Sequence, residues 1–127
     1  MGKWVIFIGD AKFGVDTICA MNFDGKKGQR YFEVAHVLEV YFDNGFVSFQ
    51  FDFDGMIKAD YSPEELKSLP YDEPSFVLMR YSNSELLKQI VGAADFPKDI
   101  LIDCDGVDLG LEHIVDESIL LNNEELP

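Results

Sequence analysis

Basic residues and cysteines are scarce in this chain. Its 127 residues include 10 Lys and Arg against 24 Asp and Glu, which gives a formal net charge of −14. Such a charge repels phosphate backbones and anionic lipid, so it argues against nucleic-acid and membrane partners. Cys19 and Cys104 form no CxxC or Cys/His spacing. They are typical of small buried side chains in a reducing compartment, with a single disulfide as the alternative.

Long apolar runs and catalytic motifs are also missing. The longest apolar run, Trp4–Ile8, is too short for a signal-peptide core or a membrane span. Ile6 occupies the position where the myristoylation pattern needs Ser or Thr. There is no Walker loop, GxGxxG, GxSxG or HExxH. The sequence therefore predicts a cytoplasmic protein that is not an enzyme and carries no cofactor.

Aromatic residues are abundant by contrast. The chain is 47% hydrophobic and contains eleven Phe, which argues against disorder. A chain of this length buries about two-thirds of its unfolded surface, enough for a core without disulfides. We therefore expect one domain covering residues 1–127.

The stretch Tyr31–Phe53 predicts a long β-hairpin with a turn at Asn44-Gly45. An Asn-Gly pair suits a two-residue type I′ turn, which would place Val40 opposite Phe49. In that register the apolar residues of both strands share one face, and a slip of one residue would separate them. His36 would lie on this face opposite Phe53, as a core histidine.

The remaining pattern predicts further strands and two helices. Strands are expected at 3–8, 15–23, 56–61, 76–81, 100–102 and 109–115. The first helix begins at the capping box Ser62–Glu65 and ends before Pro70. The second begins at Ser82–Glu85 and ends at Gly92. The predicted fold is α+β: an antiparallel meander of five to eight strands around the long hairpin, with two helices in the second half packed on one face.

The acidic residues are concentrated in the second half of the chain. Residues 60–127 hold sixteen acids and four bases, and ten of these acids lie from Asp95 onward beside one base, Lys98. A solvated acidic surface is one interpretation, and a surface for a basic protein is the other. The second interpretation predicts these partner-binding carboxylates: Asp103, Asp105, Asp108, Glu112, Asp116 and Glu117. Tyr31 and Tyr41, predicted on the outer face of the hairpin, are further candidates, although a solvated face explains them as well.

The Asp-rich loop partly matches a calcium-binding loop. With Gly106 at the sixth position, Asp103, Asp105 and Glu112 occupy ligand positions. The first ligand position holds Leu101, and Pro97 with a β-like run replaces the entering helix. A surface turn whose aspartates accept backbone hydrogen bonds is the favoured interpretation, and no metal site is predicted. Asp52 and Asp54 flank Phe53 and are interpreted as exposed strand-end acids rather than an acid–base pair.

The whole pattern resembles a bacterial immunity protein that neutralises a polymorphic or contact-dependent toxin. The resemblance rests on small size, acidity, an antiparallel α+β layout, the lack of catalytic motifs, and the start Trp4–Asp10 followed by an aromatic hairpin. It implies a tight, non-enzymatic binder of one toxin domain, usually a nuclease with a basic surface. Two alternatives remain: an acidic nucleic-acid mimic that blocks a defence nuclease or DNA-binding protein, and a small-ligand-binding α+β module.

Overall fold

A seven-stranded antiparallel sheet forms the centre of the fold. The computed structural model describes residues 3–103 and the backbone of 114–116. The strands are β1 (Lys3–Gly9), β2 (Lys26–Phe32), β3 (Val37–Phe42), β4 (Gly45–Phe51), β5 (Ser75–Tyr81), β6 (Leu101–Asp103) and β7 (Ile114–Asp116). Their order across the sheet is β2-β3-β4-β5-β1-β6-β7, and every neighbouring pair is antiparallel. The predicted antiparallel α+β class is confirmed.

Three short helices accompany the sheet in the described ranges: α1 (Val15–Cys19), α2 (Pro63–Ser68) and α3 (Ser84–Val91), with a 3-10 turn at Lys58–Asp60. The predicted start of α2 is confirmed. Ser62 Oγ accepts from the Glu65 N–H at 3.1 Å, and Glu65 Oε1 accepts from the Ser62 N–H at 2.9 Å. Helix α3 begins one residue later than the predicted cap, because Asn83 Oδ1 accepts from the Leu86 N–H at 3.0 Å.

Two predicted strands are wrong. The segment 15–23 contains α1, whose first turn is fixed locally by Thr17: its Oγ1 accepts from the Gly14 N–H and donates to the Lys12 carbonyl. The segment 56–61 turns into the 3-10 helix because the Asp52 carboxylate accepts from the N–H groups of Ile57 and Lys58. A side chain that binds nearby backbone groups competes with strand pairing, and here it prevails.

The hairpin between β3 and β4 exists, but its predicted register is wrong. The turn is Asp43-Asn44, so that Val40 lies opposite Val47 and not opposite Phe49. The shift is two residues, and the side chains of β3 and β4 therefore keep the faces on which they were predicted. The Asn83 amide, at the start of α3, donates to the Asn44 carbonyl at 2.8 Å and holds the turn in this position.

The first strand of the predicted hairpin is interrupted by a turn at residues 33–36. The His36 N–H donates to the Glu33 carbonyl at 3.3 Å, and His36 has a positive φ of 55°. Because of this turn, Tyr31 lies on β2 opposite Leu38 and shares the core-side face. Tyr41 lies on the other face, so the predicted common face of the two tyrosines is wrong.

Apolar residues pack on both faces of the sheet. The larger cluster joins the central strands to α1, α3 and the loops around them, and it includes Phe7, Ile18, Phe49, Leu86 and Phe96. A smaller cluster on the second face joins Ile6, Ile8 and Phe76 to Ile57, Tyr61 and Leu69. Helices α2 and α3 therefore lie on opposite faces of the sheet rather than on one. In the described part of the chain, neither apolar cluster places a helix over the second face of β2–β4.

Candidate functional site

Asp103, predicted as an exposed partner-binding acid, is buried. Its side chain is 3% exposed, and its Oδ2 accepts a hydrogen bond from the hydroxyl of Tyr61, which is itself buried. The pair joins the end of β6 to the segment that covers the second face. Asp103 therefore lies in the interior of the fold and is not part of the exposed acidic surface.

The other predicted site residues fall into two groups. Asp105, Asp108, Glu112 and Glu117 lie outside the described residues, and Asp116 is described only as the backbone end of β7, opposite Leu101. Tyr31 and Tyr41 are both about one-third exposed. Tyr31 packs edge-on against Phe51, and the Tyr41 hydroxyl donates to Glu39 Oε1 at 2.5 Å, which raises the pKa of Tyr41. The structure does not bring these two tyrosines together.

A cleft of about 880 Å³ opens where β1 ends and where β5 and β6 begin. We call it the acidic cleft. Its charged groups are all exposed and comprise four carboxylates and two ammonium groups: Asp10, Asp72, Glu73 and Asp99, with Lys12 and Lys98. Tyr71 stands beside them as the aromatic member of the lining.

Local backbone chemistry positions the acids of this cleft. Asp10 follows β1, and its Oδ1 accepts from the Lys12 N–H at 2.9 Å, which fixes the turn that leaves the strand. Asp72 and Glu73 lie between Pro70 and Pro74, in the connection from α2 to β5. Proline fixes its own φ and restricts the residue before it, so this short connection has few conformations.

Tyr71 ties two walls of the acidic cleft together. Its hydroxyl donates to the Asp99 carbonyl, 28 residues further along the chain. Partial burial, followed by the carboxylates of Asp99 and Asp10, raises the pKa of Tyr71 above its ordinary value. The phenol therefore stays protonated, and remains a hydrogen-bond donor, to a higher pH than an ordinary tyrosine.

Three large apolar side chains are exposed at the same end of the sheet. Val34 in the 33–36 turn is 99% exposed, and Phe53 and Met56 in the 52–57 loop are 69% and 72% exposed. We call these three residues the apolar tip. The two segments are adjacent, because the Phe51 N–H donates to the His36 carbonyl and the His36 ring stacks on Phe53 with centroids 3.9 Å apart.

The tip and the acidic cleft share one end because neighbouring strands are antiparallel. At this end β2, β4 and β1 finish, and β3, β5 and β6 begin. Across the sheet, the tip lies at β3 and β4, and the cleft lies at β5, β1 and β6. The arrangement offers a long-range negative field beside exposed apolar contact area.

Other candidate chemistry is weak in the described ranges. Within residues 3–103 and 114–116, no group of three His, Cys, Asp or Glu side chains is arranged to hold a metal ion. Cys19 is a free, partly buried thiol whose pKa is raised by burial and then by Asp16, which disfavours the reactive thiolate. The Asp52 carboxylate is engaged by two backbone N–H groups. No helix among these residues has the length and apolar character needed to cross a bilayer.

Sequence reasoning missed both features of this end. The clearest signal for the acidic cleft was Pro70-Tyr-Asp-Glu-Pro74, in which two acids and a tyrosine stand between two prolines. For the tip the pattern was misleading, because Val34 continues the alternation of β3 and gave no sign of a turn. Only its exposure in the structure separates it from the core.

Comparison with known proteins adds no family. No protein-family model matches the chain, and no curated protein and no solved structure matches it either.

Proposed function

We propose that this protein is a non-enzymatic, cytoplasmic inhibitor of the immunity-protein type, which binds a toxin with a basic surface. The observation that carries the proposal is the convergence of four exposed carboxylates on the acidic cleft, in a chain with a formal charge of −14. A nuclease toxin needs a cationic surface to hold phosphate, so it offers the complementary partner.

The charge acts first on the rate of encounter. A negative field around the binding end accelerates association with a basic protein by about 10- to 1000-fold at low salt. Salt screens such a field over about 8 Å at physiological ionic strength, so the acceleration depends on salt. Lys12 and Lys98, which also line the cleft, reduce the net charge there without cancelling it.

The grouping of the acids favours a protein inhibitor over a nucleic-acid mimic. A mimic needs carboxylates spaced like phosphates along an elongated surface. In the described part of the chain, the acids of the cleft surround one concavity instead. This grouping suits the insertion of one or two Lys or Arg side chains of a partner, each able to bind a carboxylate by charge-assisted hydrogen bonds.

A small-ligand module is the second candidate, because about 880 Å³ lies within the range of ligand pockets. Such pockets are mostly apolar and bury most of the ligand surface. The charged groups of this cleft are exposed, which suits a protein partner better.

The test is capture of the partner followed by kinetics on the purified pair. The tagged full chain is used as bait in its native cells, and the captured protein is identified, purified and tested for inhibition. We expect a basic protein whose activity is inhibited. The variant Asp72→Asn/Glu73→Gln should associate roughly threefold to tenfold more slowly at low salt, with a flatter salt dependence and little change in dissociation.

The matched control removes the same charge at the opposite end of the sheet. Asp43→Asn/Glu85→Gln also neutralises two exposed acids, far from the cleft. It should change association less than about twofold, because its charges lie beyond the screening distance. Equal rates for both variants and the wild type at every salt concentration would refute the cleft as the steering surface. A captured small molecule in place of a basic protein would favour the ligand module.

A further inference from the structure

We propose that the apolar tip, formed by Val34, Phe53 and Met56, is the anchor of the same interface and packs into an apolar depression beside the basic site of the partner. This inference rests on the proposed function and adds the surface that holds the complex together. Large apolar side chains exposed at 69% to 99% contribute nothing comparable to the core. Large exposed apolar side chains grouped on two adjacent loops are typical of an interaction site.

The tip is held in place before any partner binds. The Phe53 ring is stacked on the His36 ring at 3.9 Å, with 14° between the planes. The Asp52 carboxylate closes the loop by accepting from the N–H groups of Ile57 and Lys58. Val34 is β-branched and therefore stiff about χ1. A fixed anchor loses less conformational entropy on binding than a mobile one.

The backbone conformation at the tip also supports a binding role. His36 has a φ of +55°, a conformation that few non-glycine residues adopt. It is the one such residue in the described ranges. Backbone held in this region is often found at binding sites. Here it allows the chain to turn between β2 and β3 and to project Val34 into solvent.

The charges around the tip select the same class of partner as the cleft. Within two residues of the three apolar side chains there are three carboxylates and one ammonium group: Glu33, Asp52 and Asp54, with Lys58. An apolar centre with an acidic rim complements an apolar depression with a basic rim. The same charges disfavour a second copy of this chain, because two acidic rims would repel each other.

The tip and the acidic cleft are close enough for one interface. Three strand spacings separate β4 from β6, or about 14 Å at about 4.8 Å each. A standard interface buries about 800 Å² per partner, which corresponds to a patch about 30 Å across. One partner of ordinary size therefore covers both surfaces, and the two should differ in kinetic role: the cleft in association, the tip in dissociation.

The first experiment is photo-crosslinking with the full chain. Benzoylphenylalanine is placed at Val34 or at Met56. The control positions are Phe46, on the second face of the sheet, and Asp43, in the turn between β3 and β4. After irradiation in the native cells, the tip positions should crosslink to a basic protein and the controls should not. Crosslinks only from the controls, or crosslinks from the tip to a second copy of the chain, would overturn the proposal.

The second experiment measures kinetics with the purified, crosslinked protein. Phe53→Ser/Met56→Ser should dissociate at least about 30-fold faster, with association changed less than about twofold at any salt concentration. Phe46→Ser, which removes another half-exposed aromatic, is the matched control and should behave as wild type. Val34→Ser repeats the test at a fully exposed position whose substitution leaves the fold intact.

The two proposals fail in different ways. If the tip variants dissociate as the wild type does while Asp72→Asn/Glu73→Gln slows association, the anchor is wrong and the acidic inhibitor stands. If neither variant changes either rate, or no basic protein is crosslinked or captured, both proposals are wrong. Faster dissociation of the tip variants together with slower association of the cleft variant supports both.

Discussion

The two ends of the sheet use their side chains differently. At the end where β3 turns into β4, polar side chains from the start of α3 bind the turn. The Asn83 amide donates to the Asn44 carbonyl, and Ser82 Oγ accepts from the Phe46 N–H at 3.2 Å. We call this the capped end. Buried or bonded groups of this kind serve the fold.

The opposite end, which we call the open end, leaves large apolar and charged side chains exposed. It carries the apolar tip and the four carboxylates of the acidic cleft. Apart from Asp10, whose carboxylate fixes the turn after β1, the fold gains little from these groups, and a partner would explain their placement better. Substitutions at the capped end and in the core should therefore change stability, while those at the open end should change binding.

The largest expected effect separates two phenylalanines of the same region. Phe49, in the middle of β4, is fully buried and stacks on Phe23 with centroids 6.1 Å apart. Phe49→Ala should lower the free energy of unfolding by about 3–5 kcal/mol, because it leaves a cavity in the core. Phe53→Ala, at the open end, should cost less than about 1 kcal/mol. Urea denaturation measures both, and equal losses would erase the distinction.

The next largest loss of stability is expected at a glycine of the capped end, and a glycine of the open end serves for comparison. Gly45 has a φ of +146°, and a Cβ there would lie 2.2 Å from Ser82 Oγ. Gly45→Ala should cost about 2–3 kcal/mol, since it adds strain and displaces the hydroxyl that binds the Phe46 N–H. Gly55 at the open end has a φ of +81°, but its Cβ would meet no atom within 4 Å.

Gly55→Ala should therefore cost only the backbone strain, about 1 kcal/mol. Urea denaturation again provides the measurement, with Gly28→Ala as a control that has neither strain nor contact. A Gly55 variant less stable than the Gly45 variant would show that the open end is the more tightly packed one.

A smaller loss is expected at the buried Asp103–Tyr61 pair. Asp103→Ala leaves the Tyr61 hydroxyl without this acceptor and should cost about 1–3 kcal/mol. Asp72→Asn, an exposed acid of the cleft, is the control and should change stability by less than about 0.5 kcal/mol. An unchanged stability in Asp103→Ala would show that this hydrogen bond does not stabilise the fold.

These comparisons also explain what the sequence could predict. The start of α2 was predictable because Ser62 and Glu65 bind each other's backbone three residues apart. Strand β5 was predictable from its own apolar run. The hairpin register was not, because the group that holds the turn, Asn83, is 39 residues from Asn44.

The same limit applies to the candidate site. Asp103 looks like its acidic neighbours in the sequence, and its partner Tyr61 is 42 residues away. Tyr71 and Asp99, which join two walls of the acidic cleft, are 28 residues apart. Charge and composition led to the hypothesis of a basic partner from sequence alone. The surface that we propose for this partner depends on contacts between distant segments.

The smallest expected effect is the response to calcium of the Asp-rich loop, whose first acid, Asp103, is the last residue of β6. Asp103 would be one ligand of a calcium-binding loop, but its Oδ2 already accepts from Tyr61, and Leu101 stands at the first ligand position. We therefore expect millimolar calcium to leave the melting temperature unchanged to within about 1 °C, and we expect the same of magnesium, the control. A metal that binds only the folded state raises stability in proportion to RT ln(1 + [L]/Kd), so even weak binding is measurable. A rise that grows with calcium concentration and disappears in Asp105→Ala would show that the loop binds the metal. Asp103 would then serve a ligand site as well as the fold, and its burial against Tyr61 would no longer separate it from the acids offered to a partner.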